Sequence, residues 1–226
     1  MSDSGLVDKT ADKTKDKILQ AAASLFAEQG FNDTTMRQIT ARAEVNLAAV
    51  NYHFGSKERL ILALADRCIE PLVSQLERLL AERLALAPQR LLLDELMEML
   101  MRTLLGAQRN SADGLSVFMR LLDLAYVGRQ QVLREHLVAA FGSRLQPFMQ
   151  YLRADAAPMD DDEFFWRLHF LLGSVIFSLV NFQTLVAIEQ QALDLDAEVE
   201  HILHRLVPVL CGGFQARAEN TRFCWL

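Results

Sequence analysis

Residues 35–54 of the chain read TMRQITARAEVNLAAVNYHF and have the pattern of two short helices joined by a tight turn. Apolar side chains recur along one side of each helix, and a turn at Glu44 would bring the two sides together. The inward side chains are Ile39, Ala43, Val45, Val50 and Phe54. This spacing predicts a helix-turn-helix unit.

The second helix of this unit has an outward face suited to DNA. At about 100° per residue from Val50, Ala48 and Tyr52 lie on the opposite side, flanked by Ala49 and Asn51. An asparagine amide can pair with adenine, alanine methyls can contact thymine methyls, and small side chains let a helix lie deep in the major groove. On spacing alone, a three-helix subdomain with a merely solvated polar face remains the alternative.

Other polar side chains lie near helix ends or groove edges, where hydroxyls, amides and cations can bind phosphates. Together with the base-facing side chains they form the predicted DNA-binding set. The set is Thr34, Thr35, Arg37, Arg42, Asn46, Ala48, Ala49, Asn51, Tyr52, His53 and Lys57.

The whole chain is predicted to be all-α, because apolar residues recur at three- and four-residue spacing and there are only 10 glycines and 5 prolines. Gly30 is placed to end the first helix, and Pro71 is expected to kink the fourth. The predicted helices are residues 14–29, 35–42, 47–54, 57–87, 89–108, 115–127, 129–154, 161–190 and 197–210. The predicted domains are a flexible charged arm at 1–13, a helix-turn-helix domain at 14–60 and a larger all-helical ligand-binding and dimerisation domain at 61–226.

The net charge of −6 at first argues against a nucleic-acid binder. Residues 1–60 carry 8 cations and 8 carboxylates, whereas residues 61–226 carry 15 cations and 21 carboxylates, so the negative excess lies in the body of the chain. Residues 36–60 have a small positive excess. This predicts modest nonspecific affinity and reliance on two aligned half-sites.

The cysteines and the apolar segments indicate a cytoplasmic protein. Three cysteines without CxxC spacing do not suit a secreted disulfide framework, and the N-terminus is too polar for a signal peptide. Residues 168–188 contain no charged side chain but include several polar ones. We interpret them as a buried helix of a soluble protein and expect no membrane association.

Residues 22–62 resemble the DNA-binding domain of the TetR family of bacterial repressors. Three segments carry the resemblance, LFAEQGF at 25–31, TTMRQI at 34–39 and YHFGSKE at 52–58. It implies a homodimeric repressor that leaves a palindromic operator when a small molecule binds its C-terminal domain. It also implies DNA contacts at Thr35, Arg37, Ala48, Ala49, Tyr52, His53 and Lys57.

Two positions depart from the family's pattern. Glu44 stands where the family usually has a turn glycine, so a left-handed backbone there would cost on the order of 1 kcal/mol. Asn51 stands where the family usually has tyrosine. Residues 45–57 are similar to those of the fatty-acid-responsive pseudomonad repressors of β-oxidation, which implies a long-chain fatty acid or acyl derivative as ligand.

Residues 161–190 carry an unbroken 3-4 alternation of apolar side chains that suits helix packing. Since the family pairs its last two long helices in a four-helix bundle, we interpret this stripe as a dimer interface. The alternative is that it belongs to the core of one subunit. The stripe is Phe165, Leu168, Leu172, Val175, Leu179, Phe182 and Val186.

Methionines, aromatics and a few polar side chains between residues 89 and 182 are candidates for a pocket that holds a small apolar ligand, with Arg102, Arg120 and His169 as anchors for an acidic head group. Such residues more often form ordinary core or solvated surface. The candidate set is Met97, Met101, Arg102, Phe118, Met119, Arg120, Phe148, His169 and Phe170.

Two other classes of function remain open. Glu198, His201 and His204 lie at three-residue spacing, so an all-helical metal-binding enzyme is one alternative. The apolar end of the chain at 223–226 would suit a protein-interaction adaptor. The chain has no GxGxxG, Walker, HExxH or GxSxG motif. We therefore expect a regulator that is not an enzyme and needs no metal or cofactor.

Overall fold

The computed structural model describes residues 4–86, 90–110, 114–126, 130–193 and 198–217. These residues form ten α-helices and no β-strand, so the predicted all-α class is confirmed. The predicted tail interface at 223–226 lies outside the described residues. The helices are α1 (Ser4–Asp33), α2 (Met36–Ala43), α3 (Leu47–His53), α4 (Lys57–Leu86), α5 (Leu93–Asn110), α6 (Gly114–Tyr126), α7 (Gln131–Asp155), α8 (Asp161–Val180), α9 (Phe182–Leu193) and α10 (Val199–Gln215).

The first helix is longer than the sequence predicts. Helix α1 begins at Ser4 instead of residue 14, so most of the predicted flexible arm is helical. Gly30 has φ 81° and ψ 171°, outside the helical region, and one further helical turn follows it. The left-handed φ at Gly30 bends the chain where the sequence places the end of the first helix.

Contacts divide the chain into two compact units. The first comprises residues 1–73 and 106–142, and it contains α1, α2, α3 and α6. Helix α1 packs on both α2 and α6 there, around buried side chains such as Ile18, Leu60 and Leu64. Residues 106–142 thus belong with the N-terminal helices, which a boundary drawn along the sequence does not reveal.

The second unit comprises residues 74–105 and 143–226. Asp155 is buried there and fixes the start of α5, because its carboxylate accepts the backbone N–H of Leu93 (2.8 Å) and Nε of Arg90 (2.6 Å). Helices α8 and α10 pack closely at Gly213, where an added Cβ would lie 2.7 Å from Cδ2 of Leu171. A glycine at this point lets the two helices approach.

The long helix predicted at 161–190 is in fact two helices. Helix α8 ends at Val180, and α9 begins at Phe182 after Asn181, whose φ is −99° and ψ is 17°. The Asn181 side chain donates to the carbonyl of Phe177 (2.9 Å), a local hydrogen bond that competes with the helix. The apolar spacing continues across this one-residue break, so periodicity alone does not show it.

Helix α8 is also less buried than the sequence predicts. By length and composition alone it could cross a membrane, yet only 17% of its apolar window is buried. One side of α8 packs inside the second unit and the other side is exposed. The interpretation of this segment as a buried helix therefore holds for one side of α8 only.

Candidate nucleic-acid interface

The start of α2 is fixed by a reciprocal hydrogen-bonded cap. The hydroxyl of Thr35 accepts the backbone N–H of Gln38 (3.3 Å), and Oε1 of Gln38 accepts the backbone N–H of Thr35 (2.7 Å). This capping box satisfies two amide groups that the first helical turn leaves unpaired. Thr35 and Arg37 are both exposed. The Thr35 hydroxyl also donates to Oε1 of Gln38 (2.8 Å), so a phosphate contact through this hydroxyl would replace that bond.

The turn of the helix-turn-helix is made by a non-glycine residue in the left-handed region. Glu44 has φ 54° and ψ 42°, and its backbone N–H donates to the carbonyl of Ala41 (3.3 Å). The next amide, that of Val45, donates to Thr40 (3.1 Å). The chain thus keeps the glycine-type turn at a cost of about 1 kcal/mol.

Helix α3 has the inner and outer faces that the sequence predicts. Val50 and Phe54 are buried with Ile39 and Ala43 of α2. Asn46 caps the helix, because its Oδ1 accepts the backbone N–H of Ala49 (2.8 Å). This cap removes the Asn46 oxygen from the groups available to DNA.

The outward side of α3 exposes Ala48, Asn51 and Tyr52, whereas Ala49 and His53 are half-buried. Tyr52 is 84% exposed, which leaves its phenol free to reach a groove or backbone. Leu47 is also 46% exposed. It is absent from the predicted set, because it lies only about 60° from the inward Val50 around the helix. The face is accessible and carries small and polar groups beside the apolar side chain of Leu47.

Thr34 cannot bind phosphate as predicted, because it is 1% exposed. Its hydroxyl donates to the carbonyl of Gly30 (2.7 Å) and accepts Nε2 of Gln29 (3.2 Å). Thr34 therefore closes the corner between α1 and α2. A hydroxyl next to a helix start is a weak signal for DNA contact, since the same group also satisfies backbone carbonyls locally.

Arg42 is already engaged within the subunit. Its two terminal nitrogens bond the two carboxylate oxygens of Glu28 at 2.8 and 2.9 Å, and one of them also donates to Ser24 (3.1 Å). The hydrogen bond from Arg42 lowers the pKa of Glu28 to about 2. This bidentate pair links α2 to α1. A phosphate contact at Arg42 would have to use the N–H donors that this pair and Ser24 leave over.

Lys57 is engaged as well. Its Nζ donates to the carbonyl of Phe31 (2.6 Å) and lies 4.0 Å from the centroid of the Phe31 ring. Of the cations in residues 36–60, Arg37 and Arg59 remain exposed without such an intramolecular contact to a backbone carbonyl or carboxylate. Arg59, in the first turn of α4, is absent from the predicted set, although its position next to Lys57 could have suggested it.

Part of the predicted dimer stripe is buried within its own subunit and cannot contact a second copy. Val175 and Leu179 are 7% and 8% exposed, and they pack inside the second unit. Leu168, Leu172, Phe182 and Val186 are half-buried, and Phe165 is exposed. The alternative interpretation, core of one subunit, therefore holds for Val175 and Leu179.

A neighbouring stripe of α8 is exposed instead. Its members are Trp166, Phe170 and Phe177, at spacings of four and seven residues. The rings of Trp166 and Phe170 are stacked, with 5.8 Å between their centroids. Phe170 is 68% exposed and Phe177 is 60% exposed. On α10, Val209 is exposed too. Periodicity could not orient α8, because α8 is apolar on nearly every side.

The predicted pocket residues are divided between the two units. Met97, Met101 and Phe148 are buried in the second unit, whereas Phe118, Met119 and Arg120 belong to the first unit through α6. The remaining three lie nearer the surface of the second unit. Arg102 is exposed and pairs with Glu98, His169 bonds the carbonyl of Phe165, and Phe170 is exposed.

The residues of the metal-enzyme alternative lie at the start of α10. Glu198, His201 and His204 are exposed, and His204 lies 4.0 Å from Glu200. Within the part of the chain that the structure describes, no group of three or more His, Cys, Asp or Glu side chains is placed to hold a metal ion.

Two family models match the chain. Residues 18–64 match the model for bacterial regulatory proteins of the tetR family, and residues 98–213 match the model for the tetracyclin repressor-like C-terminal domain. The second match alone covers half of the chain. The two matches correspond to the helix-turn-helix region and to most of the remaining helices.

Relatives and solved structures agree. The HTH-type transcriptional dual regulator CecR of Shigella flexneri is 28% identical over 174 residues, which span 73% of this chain and 75% of that protein. The HTH-type transcriptional repressor NicS of Pseudomonas putida is 37% identical over 62 residues, 27% of this chain and 29% of that protein. A TetR family transcription regulator from Marinobacter aquaeolei has the same fold, with TM-score 0.61 at 15% identity over 93% of this chain and 100% of that chain.

Proposed function

Because this chain belongs to the TetR family of bacterial regulatory proteins, whose members are transcriptional regulators, we propose that it is a repressor that binds a palindromic operator and is released by a small apolar ligand. The outward face of α3 carries the DNA-binding part of this proposal. It sits on a helix-turn-helix unit with a buried core and capped ends, so its side chains are held in fixed positions before DNA arrives.

We assign base reading to Ala48, Asn51 and Tyr52. The methyl of Ala48 fits against a thymine methyl, the Asn51 amide can pair with adenine, and Tyr52 can reach a base edge or the backbone. Arg37 and the cap of α2 lie where a helix start can meet phosphate. The fatty-acid-responsive subgroup remains part of the proposal, since residues 45–57 carry its resemblance.

Fluorescence anisotropy with duplexes from the DNA upstream of the gene tests this function. The wild-type protein should bind one palindromic duplex and discriminate against its scrambled form. Asn51→Ala should weaken operator binding roughly 100-fold, because the dimer loses one base contact in each half-site. Gln146→Ala on α7, an exposed amide outside the helix-turn-helix, should leave binding unchanged. Binding to no palindrome at low salt would contradict the proposal.

The homodimer is proposed to form through the exposed face of α8 with α10. Members of the family act as dimers, and one short recognition helix contacts too few bases for selective binding. Trp166, Phe170, Phe177 and Val209 form an exposed apolar surface that a second copy would cover. This surface replaces the predicted stripe as the centre of the interface.

The ligand is proposed to be a long-chain fatty acid or acyl derivative held among Met97, Met101 and Phe148. These side chains are buried and flexible or aromatic, as an apolar site requires. Native mass spectrometry of gently purified protein should show a co-purified acyl species, and added palmitate should release the operator duplex. A co-purified planar aromatic compound would contradict this ligand class.

Ligand binding is proposed to favour one tilt of α4, which moves the paired recognition helices away from a separation of about 34 Å. Two features of α4 support this role. Its residues up to 73 belong to the first unit and its residues from 74 belong to the second. Pro71 lies close to that division. A proline inside a helix removes one backbone hydrogen bond and makes bending easier there. We place the protein in the cytoplasm, where its DNA target lies.

A further inference from the structure

Helices α8 and α10 each carry a glycine on an exposed face. Gly173 of α8 lies between the exposed rings of Phe170 and Phe177, and Gly212 is exposed on α10. With Gly173 included, the exposed stripe from Trp166 to Phe177 has spacings of four, three and four residues, which is typical of helix packing. A glycine inside a helix is less favourable than alanine, a cost that close packing can offset.

The surroundings of these two glycines leave room for a side chain. Both lie inside helices and have no positive φ. A Cβ built on either of them would meet no described atom within 4 Å. Gly213 differs, since its added Cβ would lie 2.7 Å from Leu171 of the same subunit. Packing within one subunit therefore accounts for Gly213 and does not account for Gly173 or Gly212.

Contacts between α8 and α10 show that the two helices run antiparallel. Leu171 packs against Gly213. Arg167, one turn earlier on α8, donates to the carbonyl of Ala216, which lies later on α10. Residues that follow Leu171 on α8 therefore lie beside residues that precede Gly213 on α10.

This register puts the two glycines at nearly the same height along the helix pair. At 1.5 Å per residue, Gly173 lies about 3 Å beyond the contact between Leu171 and Gly213, and Gly212 lies about 1.5 Å beyond it in the same direction. The heights of the two glycines thus differ by only about 1.5 Å.

The two glycines also lie on the same surface of the helix pair. At about 100° per residue from the contact with the other helix, the buried Leu179 lies about 80° to one side of α8, and Gly173 lies about 160° to the other. On α10 the buried Leu210 lies about 60° to one side, and Gly212 lies about 100° to the other. Because both helices bury the same-handed side and run antiparallel, both glycines belong to one exposed surface.

This surface is apolar and has a notch at its centre. Phe170 and Phe177 lie about 4.5 Å and 6 Å from Gly173 along the axis of α8, one on each side. At the level of the two glycines the helices present backbone without a Cβ, so another helix can approach more closely there than elsewhere. The occupant that fits is a second copy of the chain, because members of the family act as dimers and a two-fold interface brings the same surface from both sides.

We propose that Gly173 and Gly212 form the point of closest approach between two copies of the chain, with the rings of Phe170 and Phe177 packed around it. This inference rests on the proposed homodimer. It adds the place where the helices of the two subunits cross, and it gives a reason for two glycines that a single subunit does not require. The surrounding rings exclude water from the crossing.

Alanine substitutions test the crossing. Gly173→Ala and Gly212→Ala should each raise the dimer dissociation constant at least about tenfold, because one added methyl group per subunit would crowd the contact. Sedimentation velocity over a series of protein concentrations measures this constant. Gly142→Ala on α7 is the matched control, since Gly142 is also an exposed helical glycine and its added Cβ would lie 3.7 Å from Val138, an ordinary contact. This control should dimerise as the wild type does and should melt about 2–4 °C higher.

The free subunit should respond to the same substitution in the opposite direction. In the background of Phe170→Glu, which is expected to be monomeric, Gly212→Ala should raise the melting temperature as Gly142→Ala does, because alanine is the better helix former and nothing crowds it. Circular dichroism measures the melting and checks that each variant is folded.

A leucine at Gly173 separates a close crossing from a loosely packed apolar contact. Gly173→Leu adds apolar surface, which would strengthen a loose contact, but at a close crossing it should raise the dissociation constant at least about 100-fold. A Gly173→Leu protein that dimerises as well as the wild type would overturn the crossing and leave the proposed homodimer in place. A wild-type chain that stays monomeric at every concentration would overturn the homodimer as well.

Discussion

The outward face of α3 and the outward face of α8 are both exposed, but their chemistry is opposite. On α3 the outward groups are a methyl, an amide and a phenol, with Leu47 exposed at the start of the helix. On α8 the exposed groups are the rings of Trp166, Phe170 and Phe177. Residues 168–180 of this helix contain no Asp, Glu, Lys or Arg. The first face can stay hydrated until it meets a polyanion, whereas the second gains free energy by excluding water. We infer that the two faces serve different partners, DNA and a second copy of the chain.

The strongest test of this contrast places a charge on the α8 face. Phe170→Glu should raise the dimer dissociation constant at least about 100-fold, because a carboxylate would be buried at the centre of the interface. Sedimentation velocity measures the dissociation, and operator binding should fall with it. Val132→Glu, at an exposed valine of α7, is the control and should remain dimeric. A Phe170→Glu protein that is still dimeric would place the interface elsewhere.

A substitution on the buried side of α8 should lower the stability of the fold and leave dimerisation unchanged. Leu179→Ala removes a buried side chain inside the second unit and should lower the free energy of unfolding by about 2–4 kcal/mol. Chemical denaturation at one fixed protein concentration measures this change. The dimer dissociation constant of the folded protein should stay near that of the wild type. A large rise in the dimer dissociation constant with little change in the free energy of unfolding would instead support the stripe from Phe165 to Val186 as the dimer interface.

The two faces also show what a single sequence can and cannot predict. In α2 and α3, polar residues at Thr35 and Asn46 mark the helix starts, and contrast between apolar and polar positions orients Val50 inward and Tyr52 outward. Helix α8 lacks that contrast, so every stripe along it looks apolar, and the predicted stripe faces inward only at Val175 and Leu179. Which faces a helix buries then depends on neighbours distant in sequence, such as Gly213 of α10.

The sequence also could not show which predicted DNA-binding residues have partners within the subunit. Residue type and position suggested Thr34, Arg42 and Lys57, but their partners at Gly30, Glu28 and Phe31 are set by how α1 turns at Gly30. That turn is a tertiary feature with no periodic signal. The fold class was therefore predictable from spacing, whereas the engagement of individual polar side chains was not.

A smaller effect is expected at the turn that holds α3 in place. Glu44→Gly should raise the free energy of unfolding by about 1 kcal/mol or slightly less, because glycine adopts the left-handed backbone without steric cost. Thermal denaturation followed by circular dichroism measures it. Ala41→Gly, at an exposed helical position three residues earlier, should instead destabilise by up to about 1 kcal/mol. A loss of stability in Glu44→Gly would mean that the Glu44 side chain makes a net favourable contribution to the fold.

The smallest effect concerns the ion pair between Glu28 and Arg42, which lies on the exposed surface of the DNA-reading unit. Because the folded pKa of Glu28 is lowered from 4.5 to about 2, its contribution to stability is fully present above pH 4.5 and is lost as the pH falls towards 2. Glu28→Gln should therefore be less stable than the wild type at neutral pH, and the difference should shrink across that window in denaturant titrations. Arg42→Gln should show the same narrowing, and the double variant should add little, since both changes remove one interaction. A difference that stays constant from pH 6 to pH 2 would show that the ionisation of Glu28 does not cause the loss of stability, which would contradict the stabilising role of the ion pair.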